Sequence, residues 1–178
     1  MIEIKECGGT NIYVMKNILT EKQCAHLVNE FSHIHKMQTI VEAPVWSDQL
    51  WDMVEQKISA VEFYDSQMEK QFGIIGFKPA ITISKCRAPL RRHVDNQTDG
   101  DAFKLFFYLT AHTHECGTNF YEERLAEDAD PLTAKKVSIK NELGAGVLFD
   151  ISLEHESQRI PAGDYKISVG VRPIIEYR

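Results

Sequence analysis

The sequence has no long apolar run. No apolar segment among its 178 residues approaches the roughly 18 residues that a membrane span requires. Residues 1–16 also lack the order of charged, apolar and small residues that marks a signal peptide. We therefore expect a cytoplasmic protein with no membrane partner.

The chain also lacks an excess of positive charge. Its 20 lysine and arginine residues are outnumbered by 26 acidic residues, which gives a formal net charge of −6. Proteins that bind nucleic acids neutralise phosphates with lysine and arginine, so we expect no nucleic-acid partner. A local basic patch is still compatible with this composition.

Closely spaced cysteines are missing as well. Cys7, Cys24, Cys86 and Cys116 lie far apart in the chain, and no CxxC pair occurs. This spacing argues against a zinc knuckle, and a cytoplasmic setting keeps thiols reduced. We predict four free thiols.

The first part of the chain is predicted to be helical. Thr20 and Gln23 form a capping box in front of a helix over residues 20–36. Ser47 can cap a second helix, whose apolar face continues to about residue 70. The signals for the end of this helix are two glycines and a proline: Gly73, Gly76 and Pro79.

Short segments rich in β-branched and aromatic residues follow, separated by turn residues. They are 80–86, 103–110, 117–122, 136–140, 146–150 and 165–175. Consecutive strands without helices between them argue against a parallel sheet. We therefore predict a single domain over 1–178, mainly β within the α+β class, with a helical front over 1–75 and a β core over 76–178.

His93 and Asp95 form an HxD motif. Side chains two residues apart in an extended segment project to the same face, so both can reach one metal ion. One further histidine would complete the two-His, one-carboxylate triad that binds Fe(II). His155, shortly after the apolar strand 146–150, is the candidate. The triad by itself is a weak signal, because lone exposed histidines are common.

The surroundings of this motif are more specific. In order, they are a strand, the HxD, an aromatic strand ending in Tyr-Leu, a turn with glycine before an aromatic strand, a glycine-led apolar strand, and His-Glu followed by a glycine. These features occupy 81–85, 93–95, 106–109, 116–121, 144–149 and 155–163. Their order resembles the 2-oxoglutarate/Fe(II)-dependent oxygenases, and within them the prolyl 4-hydroxylase-like branch.

The resemblance implies a double-stranded β-helix, the cupin-like jelly roll, and a dioxygenase. Fe(II) would bind His93, Asp95 and His155, with 2-oxoglutarate and O2 as cosubstrates. The implied reaction hydroxylates an unactivated C–H bond of a peptide or small-molecule substrate and releases succinate and CO2. We then expect two facing antiparallel sheets, with both helices on the outer face of one sheet and the strand 165–175 in its interior.

The family holds the far carboxylate of 2-oxoglutarate with a lysine or arginine on the strand after the distal histidine. Lys166 and Arg172 are the candidates here, and they share one face of the strand with Ser168. About 20 Å separates the two cations along a strand, so only one can meet this carboxylate. The planar fork of a guanidinium favours Arg172. Closeness to the distal histidine favours Lys166, and on this ground we predict Lys166, with Arg172 as the alternative. Ser84 stands where many relatives have tyrosine and could also bind the cosubstrate.

Alternative readings stay open from the sequence. A non-catalytic jelly-roll module that binds a metal or ligand is the main alternative, and a metal-dependent hydrolase is a distant third. Two groups of residues have no assigned role. The first either lies on the surface or binds a metal, and it comprises His112, His114 and Cys116. The second either lies on the surface or lines the mouth of the site, and it comprises Arg87, Arg91 and Arg92. Neither the substrate nor the oligomeric state follows from the sequence.

Overall fold

The computed structural model of the chain describes residues 4–6, 11–33, 38–40, 43–87, 90–95, 102–111, 116–121 and 134–178. Two helices lie in this part of the chain, α1 (Glu21–Glu30) and α2 (Pro44–Ile58). The strands, in chain order, are β1 (Ile4–Glu6), β2 (Ile12–Met15), β3 (Gln38–Ile40), β4 (Phe63–Asp65), β5 (Lys70–Cys86), β6 (Phe103–Tyr108), β7 (Thr118–Tyr121), β8 (Lys136–Ile139), β9 (Gly146–Asp150), β10 (His155–Ser157) and β11 (Lys166–Tyr177).

The strands form two antiparallel sheets. The major sheet has the order β1-β2-β9-β6-β11-β5-β3, with β4 paired to β5, and the minor sheet has the order β10-β7-β8. Strand β11 pairs with β5 on one side and β6 on the other, so it lies in the interior of its sheet. The predicted jelly roll, mainly β within the α+β class, is confirmed.

Helix α1 begins where the sequence indicates. The Thr20 hydroxyl accepts a hydrogen bond from the Gln23 amide at 3.2 Å, and the Gln23 side chain accepts one from the Thr20 amide at 2.8 Å. The helix ends at Glu30, with Phe31 as its C-cap, which is earlier than the predicted residue 36. Residues 34–36 lie outside the described part of the chain.

The prediction for the second helix is wrong at both ends. Helix α2 starts at Pro44, whose ring suits the first helical turn, and it ends at Ile58. The segment up to residue 70 forms a turn and β4 instead, and the supposed helix terminators lie inside β5: Gly73, Gly76 and Pro79. Pairing with β11 outweighs the local signals here, and the β11–β5 ladder shifts register between Val171 and Pro173, next to Pro79.

The predicted helical front is therefore only partly helical. Strands β1 and β2 precede α1, and β2 extends the major sheet by pairing with β9. The β core also begins earlier than the predicted residue 76, since β5 starts at Lys70. Both differences involve pairing between segments far apart in the chain, which local sequence patterns do not report.

Alternation along the strands divides the apolar residues between two layers. Ile167, Val169 and Val171 of β11 pack in one cluster with buried residues of both helices. A second cluster lies between the two sheets and includes Tyr108, Phe120 and Phe149. The residues of β11 that alternate with the first set thus face the space between the sheets.

The structure describes no helix that is both long and apolar enough to cross a membrane. Three of the four cysteines lie within the described residues, and each of them is a buried, free thiol: Cys24, Cys86 and Cys116. Cys7 lies outside the described part of the chain.

Gly144 joins the N-terminal segment to the β core. Its carbonyl accepts a hydrogen bond from the Leu19 amide, and its amide donates to the Tyr108 carbonyl. Its φ is +75°, and a Cβ placed on it would lie 2.1 Å from the Leu19 carbonyl oxygen. Gly163 has a similar φ of +85°, but a Cβ there would meet nothing within 4 Å.

These two glycines give a matched pair of substitutions. Gly163→Ala should lower the free energy of unfolding by about 1–2 kcal/mol, the cost of a left-handed backbone for a residue with a Cβ. Gly144→Ala should cost a further 1–3 kcal/mol, roughly, because the backbone around Leu19 has to move. Urea unfolding measures both values. Equal losses would show that the close approach to Leu19 has no energetic weight.

Candidate active site

A pair of main-chain hydrogen bonds brings the two candidate histidines together. The His93 amide donates to the His155 carbonyl at 2.9 Å, and the His155 amide donates to the His93 carbonyl at 2.8 Å. This antiparallel bridge places segment 90–95 beside β10 at the edge of the minor sheet. Residues paired in this way point their side chains to the same face, so the two imidazoles are neighbours, with ring centroids 4.4 Å apart.

Each imidazole is oriented by a carbonyl oxygen two residues earlier in the chain. His93 Nδ1 lies 2.7 Å from the Arg91 oxygen, and His155 Nδ1 lies 3.0 Å from the Leu153 oxygen. A carbonyl oxygen can only accept, so Nδ1 carries the proton in both rings. In a neutral ring held this way the lone pair is on Nε2, which is the arrangement that metal-binding histidines adopt.

Asp95 completes the group. Its Oδ2 lies 3.8 Å from His155 Nε2, and one ligand atom from each of the three residues falls within 4.8 Å of the others. The structure therefore brings together the three residues that the sequence singled out. Nitrogen and oxygen ligands bind first-row divalent ions at about 2.0–2.2 Å, which this separation allows.

His155 lies in an apolar setting. Its ring packs against Phe120 and Phe149, with centroids 5.5 and 5.0 Å away. Burial lowers the pKa of His155 to about 4, although the hydrogen bond to Leu153 and the charge of Asp95 oppose this effect. The imidazole is therefore neutral at pH 7, as a metal ligand has to be.

Lys104 of β6 is part of the site, and sequence reasoning missed it. Its ammonium donates to both carboxylate oxygens of Asp95, at 2.8 and 2.9 Å. Burial alone would raise the pKa of Asp95, but the charge and hydrogen bonds of Lys104, with smaller contributions from His155 and Arg172, hold it below its usual value. A lysine among the aromatic residues of an inward-facing strand was the signal available in the sequence.

Lys166 occupies a second polar position between the sheets. It is only 4% exposed, and its ammonium donates to the Gly117 carbonyl at 3.0 Å and to the Ser157 hydroxyl at 3.1 Å. It also lies 5.7 Å from the centroid of the Tyr108 ring. Burial lowers its pKa to about 8, and the nearby thiols of Cys86 and Cys116 act in the opposite direction. Within the described residues, no carboxylate forms an ion pair with this ammonium.

Three hydroxyl side chains lie in one row across neighbouring strands. Ser168 of β11 is paired with Ser84 of β5 on one side and with Tyr108 of β6 on the other. Directly paired residues share a face, so all three belong to the wall that also carries Lys166. The Tyr108 hydroxyl is buried within 2.8 Å of the Thr118 hydroxyl, and burial raises its pKa. Tyr108 and Thr118 were not among the predicted site residues.

The remaining candidates lie apart from these two positions. Arg87 and Arg91 are exposed, and Arg92 forms an ion pair with Glu154 at 3.3 Å. Cys116 is fully buried and accepts a weak hydrogen bond from Asn141, which argues against a metal-binding thiol there. His112 and His114 lie outside the described residues.

The fold is similar to several solved structures. One is a prolyl-4-hydroxylase from Pseudomonas putida, with a TM-score of 0.55, 16% sequence identity and coverage of 93% of both chains. Another is the non-heme alpha-ketoglutarate-dependent epimerase SnoN of nogalamycin biosynthesis, with a TM-score of 0.57, 11% identity, and coverage of 95% of this chain and 81% of that one.

A third is EvdO2 from Micromonospora carbonacea var. aurantiaca, complexed with 2-oxoglutarate, with a TM-score of 0.56, 12% identity, and coverage of 99% of this chain and 95% of that one. No protein-family model and no curated protein sequence matches the chain. At these identities the similarity shows the fold alone.

Substitution of the triad tests whether it holds a metal. Asp95→Ala and His155→Ala should each weaken Mn²⁺ or Co²⁺ binding by at least about 100-fold, since even the outer partners of ligands are worth 10–100-fold. Isothermal titration calorimetry measures the affinity. His26→Ala is the matched control, because His26 is an exposed histidine of α1. Parent-like affinity in Asp95→Ala would rule out the triad as the metal site.

Proposed function

We propose that the protein is an Fe(II)- and 2-oxoglutarate-dependent dioxygenase. One observation carries the proposal. Two histidines oriented like metal ligands converge with a carboxylate, and a buried ammonium lies nearby that has no carboxylate partner in the described residues. His155 and Ser157 are two residues apart on the same face of β10, so about 7 Å of strand separates the triad from the hydroxyl that holds Lys166.

The triad suits iron in its donor set. Two neutral imidazoles and one carboxylate are the ligands of non-heme Fe(II) oxygenases, and they leave coordination positions open. His93, Asp95 and His155 would hold the metal, which when bound supplies the oxidising chemistry with 2-oxoglutarate and O2. The Nδ1 contacts with Arg91 and Leu153 fix the orientation of both rings, so each Nε2 would be available to the metal. The packing of Phe120 and Phe149 against His155 excludes water from one side.

Lys166 is our candidate for the far carboxylate of 2-oxoglutarate. An ammonium with only a carbonyl and a hydroxyl as partners gains a charge-assisted hydrogen bond when a carboxylate arrives. Ser168 lies on the same face of β11 as Lys166 and is paired with Tyr108 on one neighbouring strand and with Ser84 on the other. These three hydroxyl groups are further hydrogen-bond donors on the face that carries Lys166. Arg172 is six residues farther along β11, about 20 Å from Lys166, and we assign it no role in holding this carboxylate.

The reaction that we propose is hydroxylation of an unactivated C–H bond, with release of succinate and CO2. It rests on the resemblance of the sequence to the prolyl 4-hydroxylase-like branch. The same fold also occurs in an epimerase and in the alpha-ketoglutarate-dependent carbocyclase SnoK, so the fold by itself leaves the product open. A peptide or a small molecule is the proposed substrate.

The ion pair of Lys104 with Asp95 favours a second candidate function. A lysine that neutralises the metal carboxylate could replace the metal, which would give a non-catalytic jelly-roll module that binds a ligand at Lys166. The two functions differ in one measurable property, because the second needs no metal.

Succinate formation is the decisive experiment. The protein, loaded with Fe(II) without oxygen and then given 2-oxoglutarate, O2 and a panel of peptides and amino acids, should produce succinate and CO2. Asp95→Ala should abolish production and Asp95→Glu should reduce it, because the longer side chain misplaces the carboxylate. Asp48→Ala, an exposed position of α2, should behave like the parent. Binding of 2-oxoglutarate without metal binding would instead identify the non-catalytic module.

The pH dependence of 2-oxoglutarate binding tests Lys166. Its pKa of about 8 means that the free protein loses the ammonium above this pH. The dissociation constant should therefore be flat below pH 8 and rise by up to tenfold per pH unit above it. Calorimetry with Mn²⁺-loaded protein measures this.

Lys166→Met should remove the pH dependence and weaken binding by about 10–150-fold, the value of a hydrogen bond to a charged group. Lys85→Met, on the neighbouring strand, is the control and should keep the parent profile. A parent-like dissociation constant in Lys166→Met, together with a raised one in Arg172→Met, would move the carboxylate to Arg172.

A further inference from the structure

A second group of cations lies at the other end of the β11 face that carries Lys166. We call this face, which points between the two sheets, the inner wall. The β11–β6 ladder ends at the pair Val171 and Leu105, and both of these side chains pack toward the helices. Lys104 and Arg172 are the next residues on each strand, so both face the space between the sheets and are neighbours across the ladder. Both are half-buried.

The path of Lys104 across the sheet depends on a glycine. A Cβ placed on Gly170 would lie 3.1 Å from Lys104 Cε, so the stem of the lysine crosses β11 where that strand has no side chain. The ammonium then reaches Asp95, with 16% of the lysine side chain exposed. Strand β11 is thus shaped to bring a positive charge to the metal carboxylate.

Metal binding and this ion pair both use the carboxylate of Asp95. Lys104 donates to both oxygens of Asp95, at 2.8 and 2.9 Å, whereas a metal ion needs at least one of them. A divalent ion would also repel the ammonium beside it, and Arg172 adds to the positive potential that Asp95 experiences. An ammonium that gives up one of these oxygens to a divalent ion, in a half-buried position, is stabilised by a new negative partner.

We propose that Lys104, together with Arg172, binds an anionic group of the substrate, a carboxylate or a phosphate, when the metal occupies the triad. The inference rests on the proposed function and names the substrate class of that site. The ammonium is within hydrogen-bond distance of a metal ligand, so an anion held by it lies next to the metal. The guanidinium fork of Arg172 suits the paired oxygens of either group.

Linkage between anion and metal provides the test. Mn²⁺ affinity is measured without oxygen, at saturating 2-oxoglutarate and constant ionic strength, with inorganic phosphate or acetate as the probe. At least one probe should strengthen Mn²⁺ binding to the parent protein threefold or more, and the more effective probe distinguishes a phosphate from a carboxylate substrate. Binding couplings are reciprocal, so the probe must also bind more tightly to the loaded protein.

Lys104→Met should remove the effect of the probe, and it should bind Mn²⁺ more tightly than the parent does without probe, because the competing ammonium is gone. Lys104→Gln serves the same purpose if the first variant does not fold. Lys136→Met, an exposed lysine of β8, should respond like the parent. In Lys166→Met, 2-oxoglutarate should strengthen Mn²⁺ binding less than in the parent, whereas the probe should strengthen it as much as in the parent.

Three outcomes would overturn the proposal. They are no response of the parent to either probe, an undiminished response in Lys104→Met, and weaker Mn²⁺ binding in that variant. The last would make Lys104 a positioning residue that keeps its hold on Asp95. Failure of the proposed function is a separate result, because it would appear as an absence of Mn²⁺ or 2-oxoglutarate binding in the parent.

Discussion

The two main-chain hydrogen bonds between His93 and His155 are the contact on which the site depends. They join positions 62 residues apart in the chain, and they do so through the backbone, so the side chains are free to point at a ligand. The pairing sets the face, the carbonyls of Arg91 and Leu153 set the rotation of the rings, and Asp95 follows two residues after the bridge. A slip of one residue would turn one imidazole away from the other.

Strict alternation on β11 lets one strand serve two purposes. Its β-branched residues close the layer against the helices, and the residues between them supply a cation at each end of the inner wall, with Ser168 and Gly170 leaving room in the middle. The cations differ in their surroundings: Lys166 is held by neutral groups, whereas Arg172 lies beside the Lys104–Asp95 ion pair. The polar residues of β11 from Lys166 to Arg172 therefore all lie on the face that points between the two sheets.

The sequence was most informative where several features occur in a fixed order. The HxD and the distal histidine are weak signals alone and became specific through the strands and glycines around them, whereas Lys166 followed only from the family resemblance. The start of α1 was visible in the side chains of Thr20 and Gln23. The end of α2 and the start of β5 were not, because Gly73, Gly76 and Pro79 signal a local break that pairing with β11 overrides. The role of Lys104 could not be predicted, because its partner, Asp95, lies on another segment and only the folded sheet brings the two side chains together.

Buried Lys166 has a consequence for the lifetime of the protein. Without a bound anion, the folded chain buries the Lys166 ammonium, with the residue only 4% exposed to solvent. Unfolding returns this charge to water, so the unliganded protein is less stable than the liganded one. An anion that binds only the folded form shifts this balance by mass action, by about 2.7 kcal/mol at one hundred times its dissociation constant. Resistance of the protein to proteolysis in the cell would then increase with the concentration of this anion. The amount of protein and the fraction of it that holds the anion would rise together.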